Sequence, residues 1–240
     1  MRVRRCQGPK RARTSHGRAY NRPVVEDPGS ARFGDLTLRA FVDRLASSDP
    51  VPGGGSASAV AGALGAALVT MVASLSVGRP KYAAHAAVHE RASAEGTRLA
   101  GRFLEIADED AAAYGGFAAA MKLSRETDEE RAARTRSLRS AARSAAEVPL
   151  ACVEACVELV SATEALAGRS NVNAASDLAV AANLGEAAAE GAAANVRINL
   201  DSIGDATVAE GLDQRVEELL VEVRRLADMT RETVGSGQSR

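Results

Sequence analysis

Three stretches of the chain hold polar groups in patterns that chemistry uses. In "SSDPVPGGGSASAVAG", two prolines and three consecutive glycines, Gly53, Gly54 and Gly55, lead into Ser56 and a small-residue run. Residues without Cβ before a serine-capped helix start leave free backbone N–H groups, so this loop can hold a carboxylate or a developing negative charge. It is no Walker loop, because no Lys-Ser/Thr follows, and no strand precedes it as a dinucleotide fingerprint requires.

The second stretch is "ADEDAAAY", where Asp108, Glu109 and Asp110 fall inside a helical pattern. Three successive acids cover most directions around a helix, so at least one can point inward, although most such runs are solvated faces. The third runs from Ser170 to Asp205. Asn171 and Asn173 precede a helix that starts near Asp177, and Asn195 and Asn199 lie one turn apart on one face of it. Structural duties compete with chemistry here. Asp177 suits a helix N-terminus, and the asparagines suit hydrogen bonds between helices.

Two further pairs have ligand spacing and lack the rest of a metal site. His85 and His89 are four residues apart without an HExxH arrangement, and Cys152 and Cys156 have no second Cys pair or His nearby. The expectation is no metal, with the cysteines as small residues on a buried face.

The elements that must position these groups are helical. Apolar residues make up 46% of the chain, but aromatics only 3% and Trp is absent, so Ala, Leu and Val must build the core. That composition favours closely packed helices over strands. The pattern predicts helices over Leu36 to Ser47, Ser56 to Val77, Lys81 to about Lys122, from Thr127, from Pro149 to Ala167, from about Ala174 to Leu200, and over Thr207 to Thr233. Pro149 is read as a new start because proline suits a first turn and not a helix interior. Thr127 and Glu130 have capping-box spacing. The predicted fold is an all-α antiparallel bundle of roughly seven helices around a small-residue central helix. Ala57 to Val77 is long enough to span a bilayer, but its Ala, Gly and Ser content favours burial in protein, and no membrane role is expected.

With 30 basic and 31 acidic residues the net charge is −1, so the body is not built for nucleic acid. Basic residues do concentrate at the start, where Met1 to Val25 holds no acid. Residues 1–30 read as a disordered basic tail, 31–234 as one helical domain and 235–240 as a frayed end. An odd cysteine count without a secretory segment predicts reduced thiols and a cytoplasmic location.

Taken together, "FVDRLASSDPVPGGGSASAVAGALGAALVTMVASLSVGRPKY", "DEDAAAY", "AAEVPL" and "SDLAVAANLGEAAAEGAAANVRINL" resemble the formimidoyltetrahydrofolate cyclodeaminases and the related methenyltetrahydrofolate cyclohydrolases, over about Asp35 to Thr233. The resemblance implies a helical homodimer acting on reduced folate with a one-carbon unit on N5 or bridging N5 and N10, with no metal or other cofactor. It puts Gly53, Gly54, Gly55, Ser56, Arg79, Asp110, Asn171, Asp177, Asn195 and Asn199 at motif positions, Asp110 and Asp177 being the candidate proton relays. Arg79, Lys81 or the glycine loop would meet the anionic glutamate tail. Leu123-Ser124 stands where relatives have Leu-Pro, and Ser170 stands where Gly is usual before Asn171. Cyclodeamination is the first expectation, cyclohydrolysis the alternative, and a non-catalytic folate- or partner-binding helical dimer the reading from another class.

Overall fold

A computed structural model describes residues 32–237; the expected basic tail and the last three residues lie outside that range. The described residues form six α-helices: α1 (Leu38–Leu45), α2 (Gly54–Ser74), α3 (Ala86–Met121), α4 (Asp128–Leu166), α5 (Ala175–Ile203) and α6 (Ala206–Ser236). Short 3₁₀ turns cover Phe33–Asp35, Pro80–His85 and Val172–Ala174. No strand occurs among the described residues.

The core is built from small residues, as the composition requires. Ala59, Ala66, Val69, Val72 and Ala73 of α2 are wholly buried, and α3, α4 and α5 pack around them. Helices approach closely where glycine allows it. A Cβ on Gly62 would sit 2.6 Å from the ring of Phe103, and one on Gly96 would sit 2.7 Å from the Ala66 carbonyl. Gly96 lets α3 lie against α2. Helix α2 is long and apolar enough to cross a membrane by length and composition, yet most of its apolar stretch is buried inside the bundle.

The expected seven helices become six because α4 runs unbroken through Pro149. Proline has no N–H for the carbonyl four residues back, and in a helix interior that lost bond normally breaks the helix. Here the Asn199 side-chain amide, from α5, donates to that same Ala145 carbonyl at 3.1 Å. Tertiary structure supplies the donor that proline lacks. At the start of α4, Thr127 and Glu130 form the expected capping box. Helix α6 continues through Gly235 and Ser236 before Gly237 ends it at φ +65°, so these two residues, expected in a frayed end, are helical.

Cys152 and Cys156 are buried, as expected, and the neighbouring Cys152 thiol together with burial pushes the Cys156 thiol well above its ordinary value. His89 is also buried, its Nε2 2.8 Å from the Arg169 carbonyl oxygen and its ring edge-on to His85.

Candidate active site at the start of the central helix

The three acids of the α3 run take three separate partners. Asp108 accepts from the Phe33 N–H at 2.8 Å and pairs with Arg32, anchoring the first turn of the described chain. Glu109 pairs with Arg102 at 2.6 Å. Asp110 alone turns to the central helix, where Ser56 Oγ lies 2.8 Å from its Oδ2.

The contact is close because residue 55 is glycine. A Cβ there would lie 2.2 Å from Asp110 Oδ1 and 2.6 Å from its Cγ, so the carboxylate rests directly on the helix backbone. Ser56 is not the cap that the sequence suggested. Gly53 is the N-cap residue and supplies no side-chain bond, while the Ser56 hydroxyl is fully buried between Asp110 and the Ala107 carbonyl, 3.2 Å away. The first N–H groups of α2 are therefore left without a side-chain cap, at the positive end of the helix dipole.

Ser56 gives Asp110 a satisfied partner in either protonation state. When the acid is ionised, the serine proton points to it. When the acid is protonated, it donates to Ser56 Oγ and the serine proton turns to Ala107. Only a hydroxyl has to rotate, which suits a group that takes up and returns a proton.

Around this pair is a cleft of about 360 Å³. Val51, Tyr114, Phe117 and Ile198 give it apolar walls, and Asp110, Asn195 and Asn199 are its polar side chains. An apolar cleft with a few converging polar groups is the usual form of a small-molecule site. Asn195 Nδ2 donates to the Gly191 carbonyl at 2.8 Å, and Asn199 Nδ2 donates to the carbonyls of Ala145 and Asn195. Both donors of Asn199 and one of the two on Asn195 are thus occupied within the protein, which leaves the amide oxygens as acceptors and one Asn195 N–H as a donor. Sequence reasoning did not single out Tyr114, Phe117 or Ile198. Their one signal was their position, four and seven residues after Asp110 and three after Asn195, on the same helix faces.

The remaining candidates lie elsewhere. Arg79 and Lys81 follow the far end of α2, whose 21 residues span about 30 Å. Lys81 and Asn171 border a separate cavity of about 260 Å³ with Tyr82, His85 and Ser170. There the Asn171 N–H donates to Ser76 Oγ at 2.8 Å, and Asn171 Oδ1 accepts from the Asn173 N–H. Asp177 lies in the first turn of α5, some 18 residues and about 27 Å from Asn195 along that helix. Within one chain the structure brings together Gly53, Gly54, Gly55, Ser56, Asp110, Asn195 and Asn199. Arg79, Lys81, Asn171 and Asp177 stay apart from them. Among the described residues, no group of three or more His, Cys, Asp or Glu is placed to hold a metal ion.

Comparison with known proteins places this arrangement among folate enzymes. A family profile described as formiminotransferase-cyclodeaminase matches residues 37–218. A methenyltetrahydrofolate cyclohydrolase of Methylorubrum extorquens is 37% identical over 203 residues, covering 85% of this chain and 98% of its own. The formimidoyltransferase-cyclodeaminase of Rattus norvegicus is 36% identical over 193 residues, which are 80% of this chain and 36% of the rat protein. This chain therefore spans about a third of that relative. Among solved structures, the formiminotetrahydrofolate cyclodeaminase of Thermotoga maritima superposes with a TM-score of 0.77 at 28% identity, covering 85% of this chain and 98% of the other.

Proposed function

Because the chain belongs to the formiminotransferase-cyclodeaminase family, we propose that it acts on the one-carbon unit at N5 and N10 of tetrahydrofolate, with Asp110 as the proton relay. The observation that carries this reading is the Asp110 carboxylate held between Ser56 and Gly55 inside the cleft.

Two reactions use that carbon. In cyclodeamination, N10 attacks the formimidoyl carbon, Asp110 takes the N10 proton and returns it to the nitrogen that leaves as ammonia, and the methenyl bridge closes. In cyclohydrolysis, water attacks the methenyl carbon, Asp110 takes a proton from the water, and a proton passes to the ring nitrogen as its bond to carbon breaks. Both pass through a tetrahedral carbon and need one carboxylate able to change protonation state. Near-full-length identity to a cyclohydrolase favours the hydrolytic reaction, and structural likeness to a cyclodeaminase favours release of ammonia. The carboxylate also favours the cationic methenyl form electrostatically. Tyr114, Phe117 and Ile198 offer apolar surface to the pterin and aryl rings, and the asparagine oxygens can accept from ring N–H groups.

A non-catalytic dimer is favoured if Asp110 and Asp177 are both exposed and remote from the glycine loop. Asp110 is neither, being half-buried and bonded to Ser56.

A homodimer is part of this proposal. The outward face of α2 carries Ala57, Ala61, Leu64, Leu68 and Met71 without a charge, Leu75 follows at its C-cap, and Leu184 of α5 lies beside Gly65. Leu64 is 54% exposed and Ile198, on α5, 79%. Such a face suits an isologous contact with a second copy.

Purified protein incubated with 5-formimidoyl- and with 5,10-methenyl-tetrahydrofolate, followed by ammonia release and by loss of the methenyl absorbance, separates the two reactions. Turnover of neither refutes both.

A further inference from the structure

The cleft at Asp110 does not end at its own walls. It is bounded on α3 by Asp110, Ala113 and Phe117 and on α4 by Ala145. Beyond it the same two helices enclose an open groove of about 700 Å³, of which Ala113 is also a wall. On α3 the floor of this shallow groove is made of small residues, Gly116, Ala119 and Ala120 among them. On α4 the wall is Ser137, Ser140 and Ser144, three hydroxyls at helical spacing, with Arg136 beyond them. No carboxylate lines the groove.

Arg136 differs from Arg131 and Arg143 of the same helix. Arg131 and Arg143 are held by Asp128 and Glu147, and Arg139 lies against Gly204. On α5, Arg197 is paired with Asp213 and Glu217. Arg136 has no carboxylate or other hydrogen-bond partner among the described residues, and its guanidinium is exposed.

We propose that this groove binds the glutamate tail of the folate substrate, with Arg136 meeting its carboxylates and the three serines donating along the way. The inference rests on the folate reading above and extends it to the part of the substrate that does not react. Nine residues separate Ala145 from Arg136, about 14 Å along α4. An aminobenzoyl ring plus one amino acid spans about 10 Å by ordinary bond lengths, and the long arginine side chain covers the remainder. The resemblance offers the tail Arg79, Lys81 or the glycine loop; within one chain Arg79 and Lys81 lie at the other end of α2, and the loop lines the cleft itself. An open, solvated guanidinium contributes less than a buried one, so the effect on affinity is moderate and weakens with salt.

The test compares Arg136→Gln with the unaltered protein on two forms of the substrate that turns over, one with the glutamate and one ending at the pteroate carboxyl. Arg136→Gln should raise KM about 5- to 30-fold for the glutamylated form with kcat unchanged, and leave KM for the pteroate form as it was. Arg136→Lys should recover part of the loss, and added salt should narrow the gap. An equal change on both forms, or none on either, overturns the inference while leaving the folate reading intact. So does a selective KM rise in Lys81→Gln with Arg136→Gln normal. Unaltered protein inactive on every folate form overturns the folate reading, and this inference with it.

Discussion

Replacing Gly55 by alanine tests the site geometry with a single methyl group. The added Cβ would lie 2.2 Å from Asp110 Oδ1, where ordinary contact begins near 3.4 Å, so that oxygen must retreat by about 1.2 Å. A displacement of about 1 Å at a reacting group costs on the order of 10²-fold in rate. The shift also breaks the Ser56–Asp110 hydrogen bond, whose loss costs about 1.5–3 kcal/mol because one partner is charged. Alanine offsets this by about 0.5–1 kcal/mol through its better fit to a helix. The net expectation is a folded protein destabilised by about 1–2 kcal/mol, with kcat lowered on the order of a hundredfold. Gly54→Ala is the internal control. Its methyl meets only the Asn195 amide, at 3.4 Å, and kcat should stay within about threefold of the original. Steady-state kinetics and thermal unfolding on both variants decide the matter. A Gly55→Ala enzyme with normal kcat, or equal losses in the two variants, would refute the argument that the carboxylate must rest on a bare backbone.

Other expectations follow from neighbouring contacts. Asn199→Ala strands the Ala145 carbonyl opposite Pro149 and should cost about 1–3 kcal/mol while lowering activity, because Ala145 is a wall of the cleft; urea unfolding and kcat/KM measure the two effects. Gly62→Ala drives a methyl into the Phe103 ring and should cost about 1–3 kcal/mol, each kcal/mol lowering Tm by about 2–4 °C, with little change in kcat for the folded fraction. The Ser124 hydroxyl, then the Thr127 and Glu126 N–H groups, hold the Glu130 carboxyl below its ordinary 4.5. A depressed carboxyl adds stability that is complete above the ordinary value and is lost as pH falls through the folded one. The Tm gap between the unaltered protein and Glu130→Gln should therefore be widest near neutral pH and close under acid; a gap independent of pH contradicts the capping geometry.

Much of this arrangement was legible in the sequence because it depends on local chemistry. The glycine loop before a small-residue helix, the capping box at Thr127 and the three-way spread of Asp108, Glu109 and Asp110 all follow from residue types a few positions apart. What was not legible depends on partners far along the chain. Pro149 looked like a helix start because its missing N–H has no local remedy, and the remedy is Asn199, which donates to the Ala145 carbonyl from fifty-four residues along the chain. Ser56 looked like a cap because serines at helix starts usually are, but Asp110 and Ala107 of α3 draw its hydroxyl inward. The two groups of candidate residues seemed to form one site in sequence, and the lengths of α2 and α5 separate them.

The central claim is that Asp110 relays the proton. Asp110→Asn keeps the size of the side chain and still accepts from Ser56, but it cannot titrate, so its kcat on the folate substrate measures that claim most directly. The account predicts a fall of about two to four orders of magnitude with the thermal midpoint nearly unchanged. A kcat near that of the unaltered protein would contradict it, leaving positioning by the loop and the asparagines as the source of rate.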